Sequence, residues 1–446
     1  MRSIERRDLT RARSRSAASL HAISIALFLL LACFAVAPRL EAASCGGAQP
    51  CKCGDVVTSN YLLGGNLGPC SGHGLVVKSN VVLDCRGFQI TGRGGTSEQY
   101  GISLSGKPGA EISGATVKGC RVSRFHRGIR LHAASSNRVA DNTAADNGDQ
   151  GNHVGYGIDI SGGSHNNVLE NNRVHGNADE GIHIGTGSYK NRFAGNTSAD
   201  NYRENLYLLL ASGNVFVRNT LGPGGMNSLY LKDSGGNLFE GNTFRGNTAR
   251  IVGDARDNQF INNTFSGAGL HFQPYKGTTR SPSNNRVTGG AITDTRECIR
   301  FTSTRGNVVE DVDLGGCRTA VRSESPSGPS DNTLIGALSA ALTLDEGSTL
   351  GRGRRVSVQV KDAAGAPVAG AKVLGRDASG ASTWEAETDA AGNTPPQVFL
   401  TDARVGSRTT PRTPFTLVVT KPGYAEETQA VSTIEGASLT VSLRPG

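Results

Sequence analysis

Polar side chains that could transfer a proton occupy the third position of a recurring four-residue pattern. The segments GIDI, GIHI and NLYL carry Asp159, His183 and Tyr207 at that position. A neighbouring aspartate can orient or charge a histidine, and a histidine or tyrosine can remove or return a proton. The three residues are therefore candidate catalytic residues, provided that the fold stacks their segments with the third positions on one side.

Further polar residues occupy the same position, or lie beside it, in the other segments. The predicted outward stripe is Arg130, Asp159, His183, Tyr207, Tyr230, Val252, His271, Arg300 and Arg322. The candidates for substrate binding are Arg130, Tyr156, Glu180, Arg203, Glu204, Tyr230, His271 and Arg300. Successive members of such a stripe would lie ~4.8 Å apart, because that is the spacing of paired strands.

The chemistry that this set suits is abstraction of the proton beside a carboxylate, which needs a base, a proton donor and a cation. It predicts a polysaccharide lyase or a uronate epimerase acting on an acidic polysaccharide. Two carboxylates, Asp159 with Asp179 or Glu180, would instead suit a hydrolase. Two readings without chemistry stay open: a stripe that only binds glycans, as in a structural or adhesive surface protein, and an ordinary exposed sheet face.

The elements that must position these residues are set by asparagines that recur about every 23 residues. The first series is Asn137, Asn166, Asn191, Asn214, Asn237, Asn258, Asn285, Asn307 and Asn332. A second series follows five residues later: Asn142, Asn171, Asn196, Asn219, Asn242 and Asn263. Such a period, with short alternating strands between bends, predicts a solenoid with stacked asparagine ladders.

Apolar residues that alternate with the stripe are expected to fill the solenoid core. Ile158 with Ile160, and Ile182 with Ile184, are examples from successive repeats. The repeats between Gly54 and Leu350 resemble those of right-handed parallel β-helix proteins with the pectate-lyase-like fold. The opening segment 53–92 is similar to that of exported bacterial members, including NosD-type periplasmic proteins. This resemblance implies a fold and says little about activity.

The cysteines indicate disulfides in an exported protein, since eight remain once Cys33 is removed with the N-terminal segment. Cys85 aligns with Cys120 one coil on, and Cys298 lies about one coil before Cys317. Cys53 with Cys70 would close an N-terminal cap and leave Cys45 with Cys51.

Residues 1–43 have the features of a signal peptide: an Arg-rich start, an apolar stretch and small residues before a cleavage site. Cys33 offers a lipoprotein alternative. The net charge is +8, and seven arginines against three acids place +4 of it in this segment, so about +4 remains. That remainder is too small and dispersed to indicate nucleic acid. The chain is predicted to be secreted, periplasmic or on the cell surface, with no membrane span after cleavage.

The predicted domains are a cap at 44–71, the β-helix at 72–346, a Gly/Arg-rich linker at 347–355 and a β-sandwich at 356–446. The last segment resembles the carboxypeptidase regulatory-like (transthyretin-like) domain, which implies no catalytic role. The fold class is thus all-β. No cofactor is expected; calcium is the one metal left open, although no calcium cluster is evident.

Overall fold

The computed structural model describes residues 42–95, 98–149, 151–336, 341–432 and 438–446. The predicted signal peptide, including Cys33, lies outside the described residues except for Ala42 and Ala43. Across these ranges the chain forms strands and turns and has no helical segment. Accordingly, this part of the chain contains no helix of the length and hydropathy needed to cross a membrane.

Most of the described chain is a right-handed parallel β-solenoid in which each coil adds one strand to each of three faces, named A, B and C. Face A comprises Ser44–Cys45, Val56–Val57, Leu75–Val77, Tyr100–Ser105, Arg127–His132, Tyr156–Ser161, Ile182–Ile184, Glu204–Leu209, Asn227–Lys232, Ala249–Val252, Leu270–Gln273 and Leu342–Leu344. Face B comprises Leu67–Cys70, Gln89–Gly92, Arg121–Ser123, Thr143–Ala145, Arg173–His175, Thr197–Ala199, Thr220–Leu221, Thr243–Arg245 and Thr264–Ser266. Face C comprises Tyr61–Leu62, Val82–Asp84, Thr116–Lys118, Arg138–Ala140, Val168–Glu170, Arg192–Ala194, Val215–Val217, Leu238–Glu240, Gln259–Ile261, Arg286–Thr288, Arg305–Glu310 and Ser330–Ile335.

Two long strands and one short pair complete the solenoid. Ala291–Thr302 and Asp313–Glu324 run through faces B and A in turn and join them into one sheet. Ile112–Ser113 pairs with Ala134–Ser135 at a bend. Parallel stacking begins within the predicted cap, because Ser44–Cys45 pairs with Val56–Val57.

The core lies inside the coils and consists of the apolar residues that alternate along the strands. Ile158 pairs in register with Ile182, Ile182 pairs with Leu206, and all three are buried. On face C, successive phenylalanines stack with ring centroids 4.7 Å apart, from Phe193 to Phe260 through Phe216 and Phe239. The predicted alternation of core and outward residues is therefore confirmed.

Buried asparagine ladders tie each coil to the next. The first ladder is Asn137, Asn167, Asn191, Asn214, Asn237, Asn258, Asn285, Asn307 and Asn332. The second is Asn142, Asn172, Asn196, Asn219, Asn242 and Asn263. A third, which the sequence analysis missed, is Asn147, Asn177 and Asn201.

The ladders correct two sequence assignments. Asn166 and Asn171 are not ladder members; they lie at bends with φ of 54° each, and Asn167 and Asn172 take their places. The register explains the shift, because Val139 pairs with the buried Leu169 and not with Val168. Asn167 precedes Leu169 by two residues, just as Asn137 precedes Val139, so the buried Leu169 determines which asparagine enters the ladder.

The glycine of the Gly-Ile-x-Leu pattern makes room for the third ladder. A Cβ at Gly157 or Gly181 would collide with the side-chain amide of Asn177 or Asn201. At the next coil Asn205 replaces glycine, and the amide nitrogen of Asn201 donates to its Oδ1 at 3.0 Å. The ladder ends there.

All four disulfides join the expected cysteines. They are Cys45–Cys51, Cys53–Cys70, Cys85–Cys120 and Cys298–Cys317. The first two hold the N-terminal segment, and Cys85–Cys120 links neighbouring coils as the register predicted. Cys298–Cys317 joins the two long strands.

The C-terminal part is mainly antiparallel, with one parallel pairing between Ser348–Lys361 and Ser438–Ser442, and it has its own apolar core. Its strands are Ser348–Lys361, Lys372–Arg376, Ser382–Glu387, Gln397–Val405, Arg408–Pro411, Phe415–Thr420, Glu427–Val431 and Ser438–Ser442. The predicted linker at 347–355 lies almost wholly within the first of these. That strand pairs in parallel with Ser330–Ile335 and antiparallel with Gln397–Val405. Buried residues such as Leu350 alternate along it, as expected for a strand and not for a linker. Trp384 packs against Phe399 of this core.

We expect Asn196→Ala to lower the free energy of unfolding by about 2–4 kcal/mol, because it leaves several buried polar groups unpaired. The Asn196 Oδ1 accepts from the Asn172 backbone and side chain, both at 2.9 Å, and its Nδ2 donates to Leu169 O at 2.9 Å. The measurement is urea unfolding followed by circular dichroism. Asn171→Gly is the matched control: it keeps the positive φ, removes no ladder bond and should change stability by about 0.5 kcal/mol or less. Equal effects of the two variants would contradict a stabilising role for the ladder.

Candidate functional site

The outward residues of face A form one continuous column. Strand register aligns Ser103, Arg130, Asp159, His183, Tyr207, Tyr230, Arg250, His271, Arg300 and Arg322, one from each successive coil. We call this column the face A stripe. It contains the predicted residues except Val252, which is buried. Tyr230 pairs with Arg250 instead, so the prediction of Val252 was wrong by one alternation of the strand.

At the centre of the stripe Asp159 holds His183. The carboxylate of Asp159 is 1% exposed, and its Oδ1 lies 3.0 Å from His183 Nδ1. Because an ionised carboxylate can only accept, Nδ1 must carry the proton and donate it. In neutral His183 the second ring nitrogen, Nε2, then has the free lone pair that a general base needs.

Two arginines keep Asp159 ionised. Its Oδ2 accepts a hydrogen bond from Arg127 Nη1 at 2.9 Å and lies 3.6 Å from Arg130 Nε. Burial opposes ionisation, but the His183 hydrogen bond and the charges of His183, Arg127 and Arg130 lower the pKa of Asp159 below its ordinary value. The negative charge that orients His183 is thus compensated within the site.

Tyrosines lie on both sides of the His183 ring. The ring centroids are 4.5 Å apart for Tyr156 and 5.5 Å apart for Tyr207, and Tyr207 contacts Tyr230 in turn at 5.5 Å. Burial raises the pKa of Tyr156 and Tyr207, with a further contribution from the carboxyl group of Glu180. Both phenols therefore stay protonated and can donate hydrogen bonds.

A second row runs beside the stripe, three residues earlier in each segment. Its members are Tyr100, Arg127, Tyr156, Glu180, Glu204 and Asn227. Arg127 links the rows, since it pairs with Asp159 and also with Glu98 at 3.3 Å. The arrangement places acids and aromatics within reach of the same outer surface.

Three carboxyl groups surround the guanidinium of Arg203. Its nitrogens lie 3.3 Å from Asp179, 3.9 Å from Glu180 and 3.6 Å from Glu204. Burial raises the pKa of Glu180 to about 9, and the Asp179 and Glu204 carboxylates add to the shift against the opposing charge of Arg203. Burial also raises the pKa of Asp179 and Glu204. One cation cannot balance three acids, so Glu180 holds a proton at neutral pH.

The predicted site residues divide into a compact group and outlying members. Asp159, His183, Tyr207, Tyr156, Glu180, Arg203, Glu204 and Tyr230 occupy four successive coils. Arg130 lies one coil before Asp159, where its guanidinium carbon is 4.4 Å from the centre of the Tyr100 ring. His271 and Arg300 lie farther along, ~19 and ~24 Å from His183 at the spacing of paired strands.

Burial and the charge of Arg300 lower the pKa of His271 to about 4, so His271 is neutral at physiological pH. Arg300 itself pairs with Glu324 at 2.6 Å and Glu297 at 3.9 Å. These outlying residues can contact a long ligand, but they do not take part in the Asp159–His183 group.

Sequence reasoning missed Arg127, Tyr100, Asn227 and Arg250. The first three lie immediately before a four-residue segment, three residues before its stripe position, so a pattern extended by one residue toward the N-terminus would have included them. Arg250 was missed because its segment, ARIV, lacks the Gly-Ile start that defines the frame in the earlier coils.

A loop flanks the compact group on one side. Residues 148, 149 and 151–155 of this loop turn back through a bridge between Asp149 and Val154, and the loop reaches the coil of Tyr202, two coils along the stack. There His153 stacks on Tyr202 with ring centroids 4.0 Å apart, and its Nε2 lies 3.2 Å from the Tyr202 hydroxyl. This contact gives the acid cluster an aromatic rim.

The chain resembles known β-solenoid proteins. Residues 76–223 and 162–279 match the family model described as periplasmic copper-binding protein (NosD). No curated protein matches the chain significantly. The family match covers the central coils, and the C-terminal part lies outside it.

Similar solved structures include a tailspike, an epimerase and a lyase. The Dettilon tailspike protein is 12% identical with a TM-score of 0.49, covering 82% of this chain and 70% of its own. A variant of the periplasmic alginate epimerase AlgG is 15% identical with a TM-score of 0.44, covering 57% and 73%. An alginate lyase from Paenibacillus sp. is 13% identical with a TM-score of 0.36, covering 68% and 97%.

The residues present do not fit the copper of that family description. Among the described residues, no group of three or more His, Cys, Asp and Glu side chains is arranged to hold a metal ion. The eight described cysteines are all in disulfides, and His183 is held by Asp159 and flanked by tyrosines.

We expect the stability of the protein to depend on Glu180 in a pH-dependent way. Between its ordinary pKa of 4.5 and about 9, the folded protein binds a proton at Glu180 that the unfolded chain has lost. The free energy of unfolding must therefore fall as pH rises through this window. Glu180→Gln removes that dependence. The thermal midpoint of the variant should therefore rise relative to that of wild type as the pH increases from 5 to 9.

The exposed Glu240 provides the control, since Glu240→Gln changes the same functional group on face C. Thermal unfolding of the three proteins across the pH series is the measurement. A difference between wild type and Glu180→Gln that stays constant with pH would show that Glu180 is ionised throughout.

Proposed function

We propose that this is an exported protein that binds an acidic polysaccharide along the face A stripe and abstracts the proton beside a uronate carboxylate. The outcome is β-elimination or epimerisation of the sugar. The observation that carries the proposal is the Asp159–His183 pair: a buried, arginine-paired carboxylate fixes Nδ1 of His183 and leaves Nε2 free beside Tyr156 and Tyr207.

His183 is the base in this mechanism. Its Nε2 takes the proton from the carbon next to the carboxylate, and the imidazolium that forms is stabilised by Asp159. Tyr207 is the proton donor. In β-elimination the carbanion electrons form the new double bond, the bond from the β-carbon to the glycosidic oxygen breaks, and Tyr207 protonates that oxygen. In epimerisation Tyr207 returns a proton to the same carbon from the opposite side.

Protonation of Glu180 and ion pairing with Arg203 limit the negative charge on the Tyr207 side, so that an anionic sugar can bind there. A protonated Glu180 adds no negative charge against the substrate carboxylate. Arg203, whose side chain is 45% exposed, offers a cation at the surface of the acid cluster. The stripe also continues past the compact group through Arg250 and Arg300, as a polymer of like-charged sugars requires.

A second candidate function is glycan binding without chemistry, in a structural or adhesive protein. The observation that favours it is the length of the stripe, which spans ten coils and carries tyrosines and arginines along most of that length, far more than one reacting sugar needs. Aromatic and arginine side chains on a regular sheet suit repeated sugar contacts.

The remaining assignments are also proposals. The C-terminal antiparallel strands form a carboxypeptidase regulatory-like β-sandwich with no catalytic role, supported by their separate apolar core. Export to the periplasm or beyond is supported by the four disulfides and by the N-terminal segment.

The test is incubation with a panel of acidic polysaccharides, following absorbance of the unsaturated uronate and exchange of carbon-bound hydrogen in deuterated water. We expect His183→Ala and Tyr207→Phe to lower the rate by about 10²–10⁴-fold, because each removes a proton-transfer group. Asp159→Asn should lower it similarly, since an amide can present its N–H to Nδ1 and favour the wrong tautomer.

His165→Ala is the control, because His165 stacks on Tyr189 at a bend away from the stripe. Retained binding with neither absorbance nor exchange on any polymer would reject the enzyme and leave the glycan-binding protein. Activity that survives in His183→Ala would reject the assignment of the base.

A further inference from the structure

Arg250 lies on the face A stripe between two neutral hydrogen-bonding side chains. Register places it directly after Tyr230 and directly before His271. Burial raises the pKa of Tyr230, and burial with the charge of Arg300 lowers the pKa of His271 to about 4, so neither is charged at neutral pH. Burial raises the pKa of Glu204 in the second row and the positive charge of Arg250 opposes this rise, but Glu204 forms its ion pair with Arg203 and not with Arg250.

Arg250 differs from the other arginines of the site in having no counter-ion. Arg127 and Arg130 pair with Asp159, Arg203 with the acid cluster, and Arg300 and Arg322 with Glu297 and Glu324. The side chain of Arg250 forms neither an ion pair nor a hydrogen bond with the described residues, and its Nε is buried without an acceptor. An unpaired buried donor is costly, and a buried charge more so.

A second cation without an ion-pair partner among the described residues, Lys232, lies on the same side of face A. Lys232 follows Tyr230 by two residues, so both point outward, and its Nζ is 3.6 Å from the centre of the Tyr275 ring. Its neighbour Asp233 is 3.7 Å from Arg280. The surface around Arg250 therefore carries an excess of positive charge, in contrast to the acid-rich surface around Arg203.

We infer that Arg250 is the centre of an anion subsite that binds the carboxylate or sulfate of a sugar unit remote from His183. This inference rests on the proposed function and deepens it. Three coils separate His183 from Arg250, a distance of ~14 Å at the spacing of paired strands. The planar guanidinium can bind a carboxylate or sulfate through two parallel hydrogen bonds, with Nε as one donor.

The consequence is a minimum ligand length and a fixed direction. A sugar chain must extend from the compact group past Tyr207 and Tyr230 to place an anionic group at Arg250. A disaccharide at His183 is too short to reach it. The subsite should thus select for long anionic chains without contributing to the binding of short ones.

The experiment is calorimetric titration of the full chain with size-defined uronate oligosaccharides, their carboxyl-reduced forms and sulfated neutral oligosaccharides. We expect Arg250→Gln to weaken binding of the long uronate chain at least tenfold. Binding of the disaccharide and of the carboxyl-reduced chain should stay within twofold of wild type. Arg250→Lys keeps the charge but not the planar guanidinium, so its affinity for the long uronate chain should lie between those of wild type and Arg250→Gln.

Arg256→Gln is the matched control, because it removes an arginine charge at a bend, where Arg256 is 3.7 Å from Asp254. Unchanged binding of both the long uronate chain and the sulfated chain by Arg250→Gln would overturn the subsite, and so would an equal loss for the carboxyl-reduced chain. A loss confined to the sulfated chain would identify sulfate as the ligand. Wild type that binds no anionic chain would overturn both the subsite and the proposed function, whereas Arg250-dependent binding without hydrogen exchange would reject only the chemistry.

Discussion

Buried asparagine amides set the register on which the rest of this solenoid depends. Within a ladder, each inner amide accepts from the backbone and side chain of one coil and donates to the next, as Asn196 does between Asn172 and Asn219. Because every bond is used, no neighbouring register satisfies the same groups. A slip of one residue would also exchange the core and outer faces of a strand. The amides therefore decide which side chains meet on the outside.

Fixed register forces outward side chains into columns at the spacing of strands, so charges must be balanced along the column. Asp159 is balanced by Arg127 and Arg130, and it remains ionised although almost wholly buried. The group around Arg203 has an excess of acid, and it resolves the excess by holding a proton on Glu180. Two carboxyl groups one coil apart thus take opposite protonation states, each set by its neighbours.

These opposite states are what a proton-transfer site uses. An ionised Asp159 orients His183 as a base, while protonated tyrosines and Glu180 surround it without adding negative charge. The surface then changes character along the stack, from acid-rich at Arg203 to cationic at Arg250 and Lys232. A ligand that spans both regions would be held in one direction by this gradient.

The residues themselves determined the all-β solenoid, the alternation of core and surface, the Asp159–His183–Tyr207 column and two disulfides, because strand period and coil spacing are written in the chain. They left the ladder members ambiguous where two asparagines are adjacent, as at Asn166 and Asn167. Only burial of Leu169 distinguishes them. The sequence likewise assigned Val252 to the stripe in place of Arg250, because the segment ARIV has no glycine that marks where the four-residue pattern begins. The tertiary structure alone decided which charges are paired. Arg127, three residues before the stripe position of its own segment, pairs with Asp159 because adjacent coils place them together, and no local spacing encodes that contact.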